Sequence, residues 1–369
     1  MKPAMFIPAI LLAAVAAHAL LFTPAPLLAQ SVAALVLTGL LPGALIVALL
    51  LSRCDAPPSL AEFWLYAVGV GYAVMVVGVL LLSYLPGGLA GWVVLFGFDA
   101  LLIALAVLFW WRERGVDRAL THAGSPPRPL VVAGLLGLLL VAGLLRFTNL
   151  GYAEFHGDEA RGVLRAVAVI QGYEDVLLLH KKGPTEIVLP ALLLALTGHI
   201  NETTARLPFA LANLAALGGV WLLGSRLFTP LAGWIAAFIL AFEGHLIAFA
   251  RFVQYQSVVL LTSVLVALIL VRVWQTPKAV GRYLTLAAIL WAVGLLSHYD
   301  ALATAAPVAM LSGAILWQGR MGWRALLRAA APAALVGGVM LAAFYIPYVL
   351  HPSFESTATY LVDQRFVAG

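Results

Sequence analysis

Charge is scarce in this sequence. Asp, Glu, Lys and Arg make up 10% of its 369 residues, whereas 63% are hydrophobic, and a soluble domain usually carries about 25% charged residues. With a mean hydropathy of +1.03, the composition excludes a soluble globular domain anywhere in the chain. Cysteine is scarcer still. The single Cys54 excludes an internal disulfide, and the absence of CxxC, HExxH or any Cys/His cluster of zinc spacing removes redox and structural-zinc roles. The formal charge of +5 does not call for nucleic acid, because in so apolar a chain the excess Lys and Arg belong to cytoplasmic loops.

What the chain does have is apolar runs of about 20 residues, each long enough to cross roughly 30 Å of hydrocarbon as a helix. They predict an all-α polytopic membrane protein with about 11 spans, at 5–22, 31–51, 61–82, 92–111, 130–150, 207–224, 231–250, 253–274, 283–298, 302–317 and 329–350. The first run lacks a good small-residue cleavage pattern and reads as an uncleaved span. The stretch 185–197 has about half the length needed to cross, so it reads as a helix at the interface or dipping back. With that stretch kept out of the count, Lys2, Arg53, the 112–128 linker, Arg226, the loop with Arg272, Lys278 and Arg282, and the loop with Arg320, Arg324 and Arg328 share one side. The positive-inside rule makes that side cytoplasmic, with the N-terminus inside and the C-terminus outside. Trp110, Trp111, Trp274, Trp317, Tyr345 and Tyr348 fit interfacial belts. No internal repeat is evident.

The basic, Gly/Pro-containing linker divides the chain into a four-span unit with its linker at 1–128, a core at 129–350, and the start of an outer tail at 351–369. Outside the membrane, charge gathers in one window, GYAEFHGDEARGVLR at 151–165, continued by Glu174, Asp175 and HKKGP at 180–184. Asp158 and Glu159 are adjacent carboxylates and so point in different directions on most backbones. Lys181, Lys182, Arg206 and Arg251 converge on the same side from distant segments. Charges at membrane depth are costly and mark a cavity or substrate path. Cations beside a carboxylate suit a phosphate-linked lipid, the cations holding the phosphate and the acid taking a proton from an attacking hydroxyl. Pro184 at a helix start adds an anion-attracting N-terminus. His156, His180, His298, Tyr299, Asp300, Gln254 and Gln256 fall on this side as cavity lining, and the histidine spacing matches no standard metal pattern. No motif requires a cofactor, and a divalent metal stays open.

The order of these features resembles the GT-C glycosyltransferases, which include protein O-mannosyltransferases, lipid A aminoarabinose transferases and RgtA/B/C/D-like enzymes. The resemblance covers about 129–350. It rests on Asp158-Glu159 in an outer loop after a span, on HKKGP opening a short helix where relatives have paired prolines, on TTARLPFALANLAALGGVWLLGSRLF as an Arg-Leu-Pro span, and on FARFVQYQSVVLL. It implies a GT-C helix bundle whose first outer core loop carries interfacial helices. It also implies transfer of a sugar, with inversion, from a polyprenyl-phosphate donor to a lipid, glycan or protein acceptor outside the cytoplasmic membrane. Asp158 takes the catalytic-base role, Glu159 a supporting one, and Lys181, Lys182, Arg206 or Arg251 the donor phosphate. Gln254 stands near the family's second acid, and Gly183-Pro184 replaces the paired prolines. The four leading spans are additional to the usual core, and relatives continue beyond the outer tail, as expected if this chain is a fragment. A transporter or flippase of lipid-linked sugars is the rival reading, which calls for paired halves or matching broken helices. A non-catalytic binder of the same lipid is the third.

Overall fold

The computed structural model describes residues 3–114, 119–121, 129–173 and 175–363. Lys2, Glu174 and most of the expected 112–128 linker lie outside the described residues. Among the described residues every regular element is helical, in the order α1 (Pro3–Phe22), α2 (Leu27–Leu35), α3 (Leu41–Leu51), α4 (Leu60–Ser83), α5 (Gly91–Glu113), α6 (Pro129–Phe147), α7 (Gly157–Ile170), α8 (Thr185–Thr197), α9 (Glu202–Leu227), α10 (Pro230–Phe242), α11 (Gly244–Ala250), α12 (Gln256–Gln275), α13 (Val280–Ser297), α14 (Ala305–Trp317), α15 (Trp323–Leu350) and α16 (Phe354–Leu361). A π-helical turn, Val36–Leu40, joins α2 to α3, and a 3-10 turn, Tyr299–Thr304, leads into α14. Among the described residues ten segments are long and apolar enough to cross a membrane, or eleven if α10 and α11 count as one.

Within the expected span at 231–250 the helix breaks at Glu243, and its two parts bend by 67°. The break coincides with a contact from another helix. Arg146 of α6 donates to the carbonyls of Ala241 and Leu240 at 3.1 and 3.3 Å, diverting acceptors that a continuous helix would use. Glu243 then starts α11 by accepting the Leu246 N–H at 2.7 Å, a side-chain N-cap.

The register of the spans agrees with the charge pattern. Glu62, in the first turn of α4, is fully buried and pairs with both Arg226 at the end of α9 and Arg272 at the end of α12. Those two basic segments therefore share one end of the bundle, opposite the acidic window, and α8 does not cross. The residues expected in aromatic belts divide by burial. Trp110, Trp111 and Trp317 are exposed, but Tyr348 is buried and Tyr345 donates to the Leu295 carbonyl at 2.6 Å, so these two serve packing.

The leading spans are not set apart from the rest. One hydrophobic core runs from Phe6 through Leu189 and Leu265 to Tyr348. The α2–α3 arm reaches α4 through small residues spaced four apart. A Cβ on Gly43 would come within 2.3 Å of the Ala67 carbonyl oxygen, and one on Gly71 within 2.8 Å of the Gly39 backbone, so the backbones touch directly. Helix α8 was expected to lie at the interface or to dip back, and the second alternative fits its surroundings better. Thr185 to Leu193 are all buried in protein, wedged among the spans at the acidic end.

Candidate functional site

The site is built around two buried carboxylates. Glu159 and its backbone neighbour His156 form a capping box at the start of α7, with the carboxylate accepting the His156 N–H at 3.0 Å. The same carboxylate receives Arg206 in a two-pronged pair, Nε and Nη2 each at 2.8 Å, and the Val253 N–H at 2.9 Å. Four donors saturate its two oxygens. Arg206 is equally committed. Its remaining N–H groups go to the carbonyls of Leu150, Ala153 and Glu154 at 2.9, 3.1 and 3.3 Å, which uses all five donors of the guanidinium. Glu159 is 0% and Arg206 1% exposed. The expectation that Arg206 holds donor phosphate is thus replaced by an internal role, because an acid 47 residues earlier takes the cation first.

Locking Glu159 inward has a consequence for its neighbour. Successive residues on a helix point about 100° apart, so Asp158 is turned outward, where its side chain is half exposed and pairs with Arg161 at 3.4 Å. Asp158, Arg161 and Arg165 lie three and four residues apart, along one stripe of α7. The His156 ring tilts against Phe252, with centroids 5.4 Å apart.

The second carboxylate, Glu186, was missed in the sequence. The available signal was an acid in the first turn of an otherwise apolar thirteen-residue helix. Its Oε1 accepts the Tyr255 N–H at 3.2 Å and lies 3.6 Å from Lys182 Nζ. Its Oε2 is 3.3 Å from His180 Nε2, off the hydrogen-bonding direction. Arg165 donates to His180 Nδ1, so the imidazole proton sits on Nε2 and faces Glu186. Burial lowers the pKa of the Arg165 guanidinium, with Arg161 adding to the effect.

One short segment ties both carboxylates together: Val253 donates to Glu159 and Tyr255 to Glu186. Arg251, also expected on the phosphate, instead clamps this segment to the end of α6. It donates to the carbonyls of Leu145, Thr148 and Asn149 at 3.1, 2.9 and 3.0 Å. Gln256 donates to Gln254 at 3.0 Å. The Tyr255 ring stacks on His298 with centroids 3.7 Å apart, Tyr299 lies against the other side at 3.8 Å, and Lys182 sits 5.2 Å from the Tyr255 centroid. Burial pushes His298 down to about 4, while its Nδ1 accepts the Asp300 N–H at 3.1 Å. Burial likewise raises the Tyr255 phenol, with the Asp300 carboxylate adding to it. Lys181 is exposed on the same turn as Lys182.

Of the expected residues, the structure therefore gathers His180, Lys182, His298 and Tyr299 around Glu186 and Tyr255, and Glu159 with Arg206. It leaves Arg251 committed to α6. Among the described residues no group of three or more His, Cys, Asp or Glu could hold a metal ion.

Gly183 explains why paired prolines are not found here. A Cβ at this position would lie 1.9 Å from the Leu296 carbonyl oxygen, so only glycine lets the α8 N-terminus rest on the end of α13. Gly183→Ala is expected to cost about 1–3 kcal/mol through overpacking. Gly313→Ala, which meets open space, serves as the control, and thermal unfolding of the two purified variants in detergent checks the difference.

Residues 181–351 match the family model described as dolichyl-phosphate-mannose-protein mannosyltransferase. The match includes Lys182, Glu186, Arg206, Arg251 and His298 and begins after Asp158 and Glu159. No curated protein and no solved structure matches the chain. The family match and the bundle of apolar helices support a membrane glycosyltransferase of the GT-C type.

Proposed function

We propose that this GT-C-type membrane glycosyltransferase moves a sugar from a polyprenyl-phosphate donor to an acceptor hydroxyl by a single inverting displacement, with Asp158 as general base. The observation that carries the reading is the clamp on Glu159, which fixes the first turn of α7 and presents the adjacent Asp158 outward. In the step, the acceptor oxygen forms its bond to the anomeric carbon as the bond from that carbon to the phosphate oxygen breaks. The electron pair leaves with polyprenyl phosphate, and the acceptor proton passes to Asp158.

Lys182 is the cation best placed for the donor phosphate. It is partly exposed, on a flexible stem, and its contact with Glu186 is a loose 3.6 Å. Glu159 and Arg206 position the base. The stacked His298 and Tyr255 rings lie beside Lys182. The acidic end faces away from the cytoplasm in this reading, because Arg53, Arg226, Arg272, Lys278, Arg282, Arg320, Arg324 and Arg328 gather at the other.

Lys182→Gln is expected to weaken donor binding by about 1.5–3 kcal/mol, the worth of a hydrogen bond to a charged group. Equilibrium binding of a polyprenyl-phosphate sugar to the purified variant measures it, and unchanged affinity would release Lys182 from that role. The reading as a whole is tested by incubating membranes containing the protein with labelled polyprenyl-phosphate sugars and analysing the products by mass. Labelled glycoside on an acceptor is the expected product. Movement of the intact lipid-linked sugar across the bilayer, with no glycoside formed, would make the protein a transporter.

A further inference from the structure

A cavity of about 420 Å³ opens at the acidic end, and Glu186 is not among its lining residues. Its walls come from segments far apart in the chain: Ser83 to Gly88 at and beyond the end of α4, Val169, Gly172, Tyr173 and Asp175 to Leu178 at and beyond the end of α7, and Pro347 of α15. The volume is that of a small-molecule site.

Several features mark it as a built site. Its floor is a crossing of two glycines with left-handed backbones, Gly88 at φ 81° and Gly172 at φ 79°. A Cβ on Gly88 would come within 2.4 Å of the Ile170 carbonyl oxygen, so the two loops meet backbone to backbone. Tyr84 and Tyr173 are 45% and 65% exposed, and the Tyr84 hydroxyl is tied to the Ala343 carbonyl at 2.9 Å. Asp175 adopts φ 64°, an unusual backbone for a residue with a side chain, and His351 holds its carboxylate at 3.2 Å. Such strained residues persist where the surroundings impose them, and they concentrate at binding sites.

The lining also restricts the ligand. Among the described lining residues there is no Lys or Arg, and the charged one is a carboxylate, so the cavity does not suit a phosphate. Two exposed phenol rings, a half-exposed carboxylate, a hydroxyl and turn backbone suit a neutral ring bearing several hydroxyls, which offers apolar faces to the aromatics and O–H donors to the acid. We infer that this cavity binds a neutral sugar ring of the acceptor, and that the acceptor is therefore an extended glycan. The inference rests on the transferase reading above. Val169 lies eleven residues along α7 from Asp158, about 16 Å at 1.5 Å per residue. A sugar bound here is thus distant from the reacting hydroxyl, and the acceptor chain must reach from one end of α7 to the other. The loop after α4 supplies one wall, so the four leading spans contribute to acceptor recognition.

The test uses the full chain in bilayer nanodiscs, a labelled short-chain polyprenyl-phosphate sugar as donor, and neutral glycans extracted from the source membranes as the acceptor probe, serially diluted. Asn tolerates the left-handed backbone as well as Asp does, so Asp175→Asn keeps the turn, and Tyr173→Ala removes an exposed ring. Each variant is expected to raise the acceptor KM roughly tenfold, the loss of about one good polar contact, with donor hydrolysis and the rate at saturating acceptor unchanged. An activity-independent arm places a single thiol in the cavity with Ser83→Cys in a Cys54→Ser background, where the glycans should slow maleimide labelling and inorganic phosphate should not. Unchanged KM in both variants together with unprotected labelling would overturn the inference. Protection by glycans in a protein that transfers no sugar would instead uphold the sugar site and remove the transferase reading.

Discussion

Replacing Arg206 with leucine is expected to destabilise the protein by about 3–5 kcal/mol, the usual cost of stranding one member of a buried ion pair. The reason is specific to its surroundings. Glu159 is 0% exposed and would lose two of its four donors, while the carbonyls of Leu150, Ala153 and Glu154 would lose theirs. Replacing both partners, with Glu159→Leu added to Arg206→Leu, should recover part of the loss because no buried charge is then left alone. Recovery stays incomplete, since the N–H groups of His156 and Val253 keep no acceptor. Thermal unfolding in detergent of the single and double variants measures the difference. A single variant as stable as the wild type would mean that the pair does not hold the α7 turn in place.

Asp158→Asn should have the larger functional effect with little change in stability. The side chain is half exposed and its nearest ion-pair partner, Arg161, is itself on the surface, a type of pair worth at most about 1 kcal/mol. Asparagine keeps the shape and polarity but cannot accept the acceptor's proton. Loss of general-base catalysis typically costs about 10²- to 10⁴-fold in rate. Steady-state sugar transfer in membranes should fall by that factor while donor binding is retained. Glu159→Gln, altering the adjacent residue, should act differently, by loosening the α7 turn and lowering stability and activity together.

Much of this architecture was legible because the bilayer makes strong demands on sequence. A span needs an apolar run, and loop charge reports its direction, so the register of the helices and the non-crossing status of α8 could be read directly. The contact of Arg226 and Arg272 with one buried Glu62 agrees with that register. The break at Glu243 was not legible, and the contact that coincides with it comes from Arg146, 94 and 95 residues from the carbonyls it meets. The site was legible by composition and not by pairing. The sequence places Glu159, Lys182, Arg206 and Arg251 on one side but not which acceptor each one meets, and Arg206 and Arg251 find theirs inside the protein. Glu186 was overlooked for a related reason. In an apolar half-length helix it looked incidental, and its importance emerges only when His180, Lys182 and the Tyr255 amide converge on it.

The central claim is that the clamped turn of α7 presents Asp158 to take a proton from the acceptor, and an acceptor without a proton tests it most directly. In single-turnover reactions with donor already bound, the wild type and Asp158→Asn are compared with the hydroxyl acceptor and with azide, which attacks without losing a proton. The account predicts that Asp158→Asn is slowed about 10²- to 10⁴-fold toward the hydroxyl, yet forms glycosyl azide of inverted configuration at a rate near that of the wild type. Transfer to the hydroxyl at the wild-type rate, or an equal loss toward azide with donor binding intact, would contradict it.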